Sequence, residues 1–92
     1  MIRSFKLKGL AKFFRTGSTS EIQIAHAKRL RHILGRLHAA SDAKDMDLPG
    51  LRLHKLSGNR GGIWFVTFIG NWRVTLRFED GDVEIVNYED YH

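Results

Sequence analysis

The hydrophobic pattern of this 92-residue chain changes period near its middle. In "LKGLAKFFRTG", Leu7, Leu10, Phe13 and Phe14 recur at helical spacing, and Gly17 is placed to end that helix. Ser18 and Glu21 have capping-box spacing, so a second helix is expected to start there. The segment "IQIAHAKRLRHILGRLHAAS" is the strongest helical signal. Ile22, Ala27, Leu30, Ile33, Leu34 and Leu37 form one apolar stripe, with Lys28, Arg29, Arg31 and Arg36 off it. "SDAKDMDLPG" breaks the pattern, and Pro49–Gly50 marks a turn.

From Leu51 onward the period is two. "LRLHKL" alternates imperfectly, and "SGNRGG" reads as a turn. "IWFVTFIG" is a strongly apolar strand, and "GN" at 70–71 is a tight hairpin signal. "WRVTLRFE" sets Trp72, Val74, Leu76 and Phe78 against Arg73, Thr75 and Arg77. "DGD" is a second hairpin turn, and "VEIVNYEDYH" is the last strand. With "MIRSF" as a short first strand, the expected order is β-α-α-β-β-β-β. The last four strands should form an antiparallel meander faced by a helical hairpin, an α+β fold. The length suits one domain over residues 1–92.

Composition narrows the setting. No apolar run reaches the roughly 20 residues of a membrane span, and the basic N-terminus lacks a signal-peptide core. There is no cysteine, hence no disulfide framework and no thiolate chemistry. The expected location is the cytosol, with no membrane partner. Charge changes the picture more. Residues 1–40 hold nine Lys/Arg and one acid, Glu21, whereas residues 79–92 hold six acids and no Lys/Arg. A net charge of +5 suits an anionic polymer, nucleic acid first, although an acidic protein partner or an inert solvated surface fits the charge as well.

The candidate chemistry follows from the strand region. An arginine on a polar sheet face is ordinarily solvated, but Arg73 follows a hairpin, where its fork can hold a phosphate through two hydrogen bonds. His54 precedes a Gly-rich basic turn containing Arg60, which matches neither nucleotide-binding fingerprint. His26, His32 and His38 recur every six residues, which spreads them around a helix and does not make a metal site. Separated histidines, tyrosines and arginines on a small basic sheet are the inventory a metal-free ribonuclease needs. One group takes the 2′-hydroxyl proton, a cation stabilises the phosphorane, and another group protonates the leaving 5′-oxygen.

At that point the chain resembles the HigB toxins, the plasmid-maintenance "killer" proteins of the RelE/ParE superfamily. The resemblance runs end to end through "MIRSFKLKGLAKFFRTG", "LRLHKLSGNRGGIW", "GNWRVTLRFEDGD" and "NYEDYH", in order and in spacing. It implies a RelE-like fold: an N-terminal strand and helical hairpin on a mostly antiparallel four- to five-stranded sheet. It implies a metal- and cofactor-independent mRNA endonuclease that uses 2′-hydroxyl attack in the ribosomal A site. The implied partners are the ribosome with its mRNA and a HigA-type helix-turn-helix antitoxin, through which operator DNA is reached indirectly.

By position, the resemblance marks His54, Arg73, Asp90, Tyr91 and His92 as the active-site set. His54 and His92 would transfer protons, Arg60 and Arg73 would hold phosphate, Tyr91 would stack or donate, and Asp90 would orient its neighbours. Lys55, Ser57, Arg77, Lys28, Arg29 and Arg31 are the further RNA-contact candidates. The family often carries a lysine where this chain has Ser57, which a hydroxyl cannot replace as a cation. That departure keeps open a RelE-fold binding module of weak or no nuclease activity. Gyrase inhibition, as in ParE-like members, fits less well because His54 and "YEDYH" match the nuclease branch.

Overall fold

The alternating half of the chain folds back on itself three times. The computed structural model describes residues 1–56 and 62–90. Its strands β1 (Arg52–Lys55), β2 (Ile63–Ile69), β3 (Trp72–Glu79) and β4 (Asp82–Asp90) pair in sequence order as an antiparallel meander. The two short hairpins form where the turn residues call for them. Ile69 pairs with Trp72 across Gly70–Asn71. Glu79 pairs with Asp82 across Asp80 and Gly81, whose φ values of 51° and 83° give the twist that matches flanking strands.

Two helices cover one face, α1 (Lys8–Thr16) and α2 (Ala27–Ala39). Gly17 ends α1 in the left-handed region at φ 79°, and its N–H reaches the Phe13 carbonyl at 2.8 Å. Leu10 and Phe13 of α1 meet Leu30, Ile33, Leu34 and Leu37 of α2 over Val66, Val74, Leu76, Val83 and Val86 of the sheet. Most of these side chains are fully buried, so they supply most of the hydrophobic stabilisation. Among the described residues, no helix is long and apolar enough to cross a membrane.

Several local expectations are corrected. "MIRSF" forms no regular strand. It makes two parallel bridges to β4, Ile2 to Val83 and Phe5 to Val86, and so straps the outer edge of the sheet. Met1 and Arg3 both pair with Asp82, the latter at 2.6 Å. The second helix does not start at Ser18. The Ser18 hydroxyl bonds Ser20, a 3₁₀ turn covers Ile24–His26, and α2 begins at Ala27 with no side-chain cap. Ile22 is buried with the stripe but precedes the helix. The pattern-breaking "SDAKDMDLPG" holds a 3₁₀ turn, Ala43–Met46, closed by an Asp42–Asp45 capping box that seats Met46 in the core.

One irregularity decides how β4 faces. Thr75 pairs with Asn87 but Arg77 pairs with Glu84, so Ile85 and Val86 together oppose Leu76. This bulge carries Ile85 at φ 50°, a strained value for a β-branched residue. The Ile85 N–H is received by the Ser4 hydroxyl at 2.8 Å. Strict alternation from Val83 would bury residues 85, 87 and 89. The extra residue shifts the phase, so Val83, Val86 and Tyr88 are buried instead.

Candidate active site

The sheet face turned away from the helices is built by register. His54 lies opposite Phe65 on β2, Thr67 opposite Arg73 on β3, and Arg73 opposite Glu89 on β4. His54 stacks on Phe65 at 5.1 Å with the planes 25° apart. The Arg73 guanidinium lies 4.8 Å from the same ring centre, and its Nη2 donates to Glu89 Oε2 at 3.3 Å. A row of imidazole, ring, guanidinium and carboxylate thus crosses all four strands. It borders a cavity of ≈ 410 Å³ lined by His54, Lys55, Phe65, Thr67, Asn71 and Arg73, among others.

Arg73 is only 6% exposed, so the expectation of a solvated arginine is corrected. The Phe65 ring lies against it, and Thr75 on the same strand is also buried. A guanidinium fixed this way presents its fork with little rotamer entropy left to lose. A buried cation requires a charge partner, and Glu89 supplies it.

The remaining expected residues are dispersed. Asp90 pairs across from Trp72 at the end of β4, next to Glu89. Lys55 lines the cavity, but its ammonium lies 5.8 Å from the Trp64 ring centre, on the strand side opposite His54. Arg77 shares the face of Arg73 and is committed to Glu84 through Nε at 2.8 Å and through Nη2. That bond, with the charge of Glu84 behind it, raises the Arg77 pKa above its ordinary value. Lys28, Arg29 and Arg31 belong to the helical layer. Lys28 and Arg29 border a separate cavity with His32 and Leu48–Leu51, and Arg31 lies 5.5 Å from the Phe13 ring centre. The sheet separates these three from the His54–Arg73 row. Ser57, Arg60, Tyr91 and His92 lie outside the described residues.

Phe65 and Glu89 are the members of the row that sequence reasoning missed. "IWFVTFI" is apolar throughout, so alternation does not reveal that Phe65 faces outward. Counting pairs back from the Gly70–Asn71 turn would set it beside Leu76, and only the register shift between Thr67 and Ile69 brings it opposite the polar Thr75. Glu89 carries no signal either, because the bulge at Ile85 hides the phase of β4.

On the helical side, burial raises the Tyr88 pKa, the backbone N–H of Gln23 opposes the shift, and the Asp90 carboxylate adds to it. The Arg3 side-chain hydrogen bond holds the Asp82 carboxyl below the usual range.

A helical pair on one face of a four-stranded antiparallel meander matches the α+β fold of the RelE-like toxins. The chain belongs to their HigB family. The family model described as "RelE-like toxin of type II toxin-antitoxin system HigB" matches residues 3–92. The chain is also 40% identical to Endoribonuclease HigB of Proteus vulgaris over 92 residues, the full length of both chains. Membership in a type II system gives the protein an antitoxin as partner.

Proposed function

We propose that this protein is the endoribonuclease toxin of its type II system, a single domain over residues 1–92 that cleaves mRNA at the ribosome in the cytoplasm. Its antitoxin is of the HigA helix-turn-helix type and carries the pair to operator DNA. The observation that supports the reading is Arg73, a guanidinium immobilised over Phe65 beside His54 at an open cavity. The full-length relative named as an endoribonuclease points the same way.

In this reading the backbone phosphate of the message takes the Arg73 fork. A base, His54 or His92, removes the proton of the ribose 2′-hydroxyl. That oxygen attacks the adjacent phosphorus, and Arg73, with Arg60, stabilises the charge that develops on the phosphorane. The P–O5′ bond breaks, and the other histidine protonates the leaving 5′-oxygen. The products are a 2′,3′-cyclic phosphate and a 5′-hydroxyl. Asp90 orients its neighbours, and Tyr91 stacks on a base or donates a hydrogen bond. Both proton transfers run through side chains and need no metal or cofactor.

Two observations favour a second reading, a RelE-fold binding module with weak cleavage. Glu89 already occupies an Arg73 donor, and Lys55 is turned to Trp64 rather than toward the row. One experiment decides between them. Wild type and Arg73→Ala are added to a translating extract and to naked RNA, and the ends of the cleaved message are mapped. Cuts with cyclic-phosphate ends, made by wild type only when ribosomes translate, are the expected result. No cleavage by folded wild type selects the binding module, and equal cutting of naked RNA overturns ribosome dependence.

A further inference from the structure

His26 is a polar side chain that nothing in the proposed chemistry uses, yet it is only 6% exposed. It sits at the end of the Ile24–His26 turn, just before α2. Its ring meets Phe68 at 5.5 Å, Trp72 at 5.0 Å and Tyr88 at 5.8 Å, each edge to face. Tyr88 in turn stacks on Trp72 at 4.6 Å. Within this box the His26 Nδ1 and the Tyr88 hydroxyl share a buried hydrogen bond. A leucine would fill such a space without the cost of desolvating two polar groups. A satisfied polar pair adds direction, because it fixes one geometry where apolar packing tolerates several.

The place of that geometry is informative. The N-terminal strap bonds the outer edge of β4 only as far as Val86, where Lys6 N–H meets the Val86 carbonyl at 2.9 Å. Beyond Val86 the described backbone of β4 pairs with β3 alone, at Asn87, Tyr88, Glu89 and Asp90. Tyr88 points into the helical layer, and the next residue, Glu89, points to the other face and holds Arg73. A shift of the Tyr88 ring is therefore carried through one peptide unit to the carboxylate that sets the guanidinium.

We propose that His26 is a positioning residue: its bond to Tyr88 fixes the end of β4, and so sets Glu89 and Arg73 in the catalytic row on the opposite face. The proposal rests on the endoribonuclease reading for its kinetic consequence, but not for its structural one. Tyr88→Phe removes one oxygen and keeps the ring, His26→Leu removes the imidazole, and His26→Gln keeps a side chain able to bond the hydroxyl. Tyr88→Phe and His26→Leu should each lower kcat about 10-fold, since small misplacement of a charged group is costly, with KM unchanged within about twofold. Their thermal midpoints should move by less than about 8 °C, the order expected for one lost hydrogen bond in a domain this size. The double variant should be no worse than the weaker single one, because both remove the same bond. His26→Gln should recover part of the loss.

The guanidinium NMR signals of Arg73 provide a readout independent of activity, and they should shift in Tyr88→Phe. Folded variants with wild-type kcat and unmoved Arg73 signals would overturn the proposal, as would losses that add in the double variant. If wild type itself cleaves nothing, the endoribonuclease reading fails, and the Arg73 signals alone then decide the positioning role. If the leucine variant does not fold, Tyr88→Phe and His26→Gln carry the same decision.

Discussion

Arg73 is held over Phe65, with its guanidinium carbon 4.8 Å from the ring centre, and His54 stacks on that same ring. Phe65 is therefore the element that spaces the histidine from the arginine. Phe65→Leu keeps an apolar residue on the strand but removes both ring contacts. Cleavage should fall about 10-fold, in line with about 1–2 kcal/mol for a desolvated cation–ring contact. Initial rates on one reporter message measure it, and a wild-type rate in the folded variant would show that the ring is only filler.

Arg73→Lys tests whether charge or geometry matters. An ammonium has no planar fork and does not stack as a guanidinium does. A loss of about 100-fold is expected, the scale of removing one transition-state donor. Retention of a third or more of the activity would mean that any cation suffices there.

Core stability can be tested away from the row. Leu76 is fully buried between the helices and the bulge, so Leu76→Ala should cost about 2–5 kcal/mol in urea unfolding. Ile24 is 79% exposed, and Ile24→Ala should change stability by no more than about 0.5 kcal/mol. Similar losses in the two variants would contradict the packing described.

The strap and the bulge stand together through Ser4. Ser4→Ala deprives the Ile85 N–H of its acceptor and should cost about 1 kcal/mol. Hydrogen exchange at the Ile85 amide should quicken at the same time. Unchanged protection would show that the bulge holds itself.

Two groups should shape stability against pH, in opposite limbs. The folded Asp82 carboxyl titrates below its ordinary value of about 4, because Arg3 binds its charged form. Its contribution is complete above that ordinary value and is lost as pH falls through the folded one. Tyr88 titrates above its ordinary value of about 10, so its contribution is complete below pH 10 and is lost as pH rises through the folded value. Asp82→Asn should flatten the acid limb of a melting profile and Tyr88→Phe the alkaline limb. Superimposable profiles would refute both assignments.

The hairpins and the helical stripe were legible because local chemistry dictates them. "DG" supplies a left-handed turn whatever surrounds it, and Leu30, Ile33, Leu34 and Leu37 share a face by helical period alone. His54 and Arg73 were legible as individual residues. Their relation was not, since it depends on Phe65, which alternation hides inside an apolar run. The phase of β4 was least legible. It turns on a left-handed Ile85, a conformation its residue type argues against, and on a serine 81 residues away. His26 read as one of three dispersed helical histidines, because only the fold brings Phe68, Trp72 and Tyr88 around it.

The strap of residues 1–6 along β4 also sets when the molecule can exist. Its hydrogen bonds join Met1 to Val83 and Lys6 to Val86, spanning most of the chain, and contacts of such separation form late in folding. A chain emerging from the peptide exit tunnel cannot complete its sheet edge, or acquire Glu89 for Arg73, until β4 has been synthesised. The row that would cut messages is thus assembled only after the stretch encoding it has been translated. In the proposed reading, a nascent chain therefore holds no complete row until β4 has emerged.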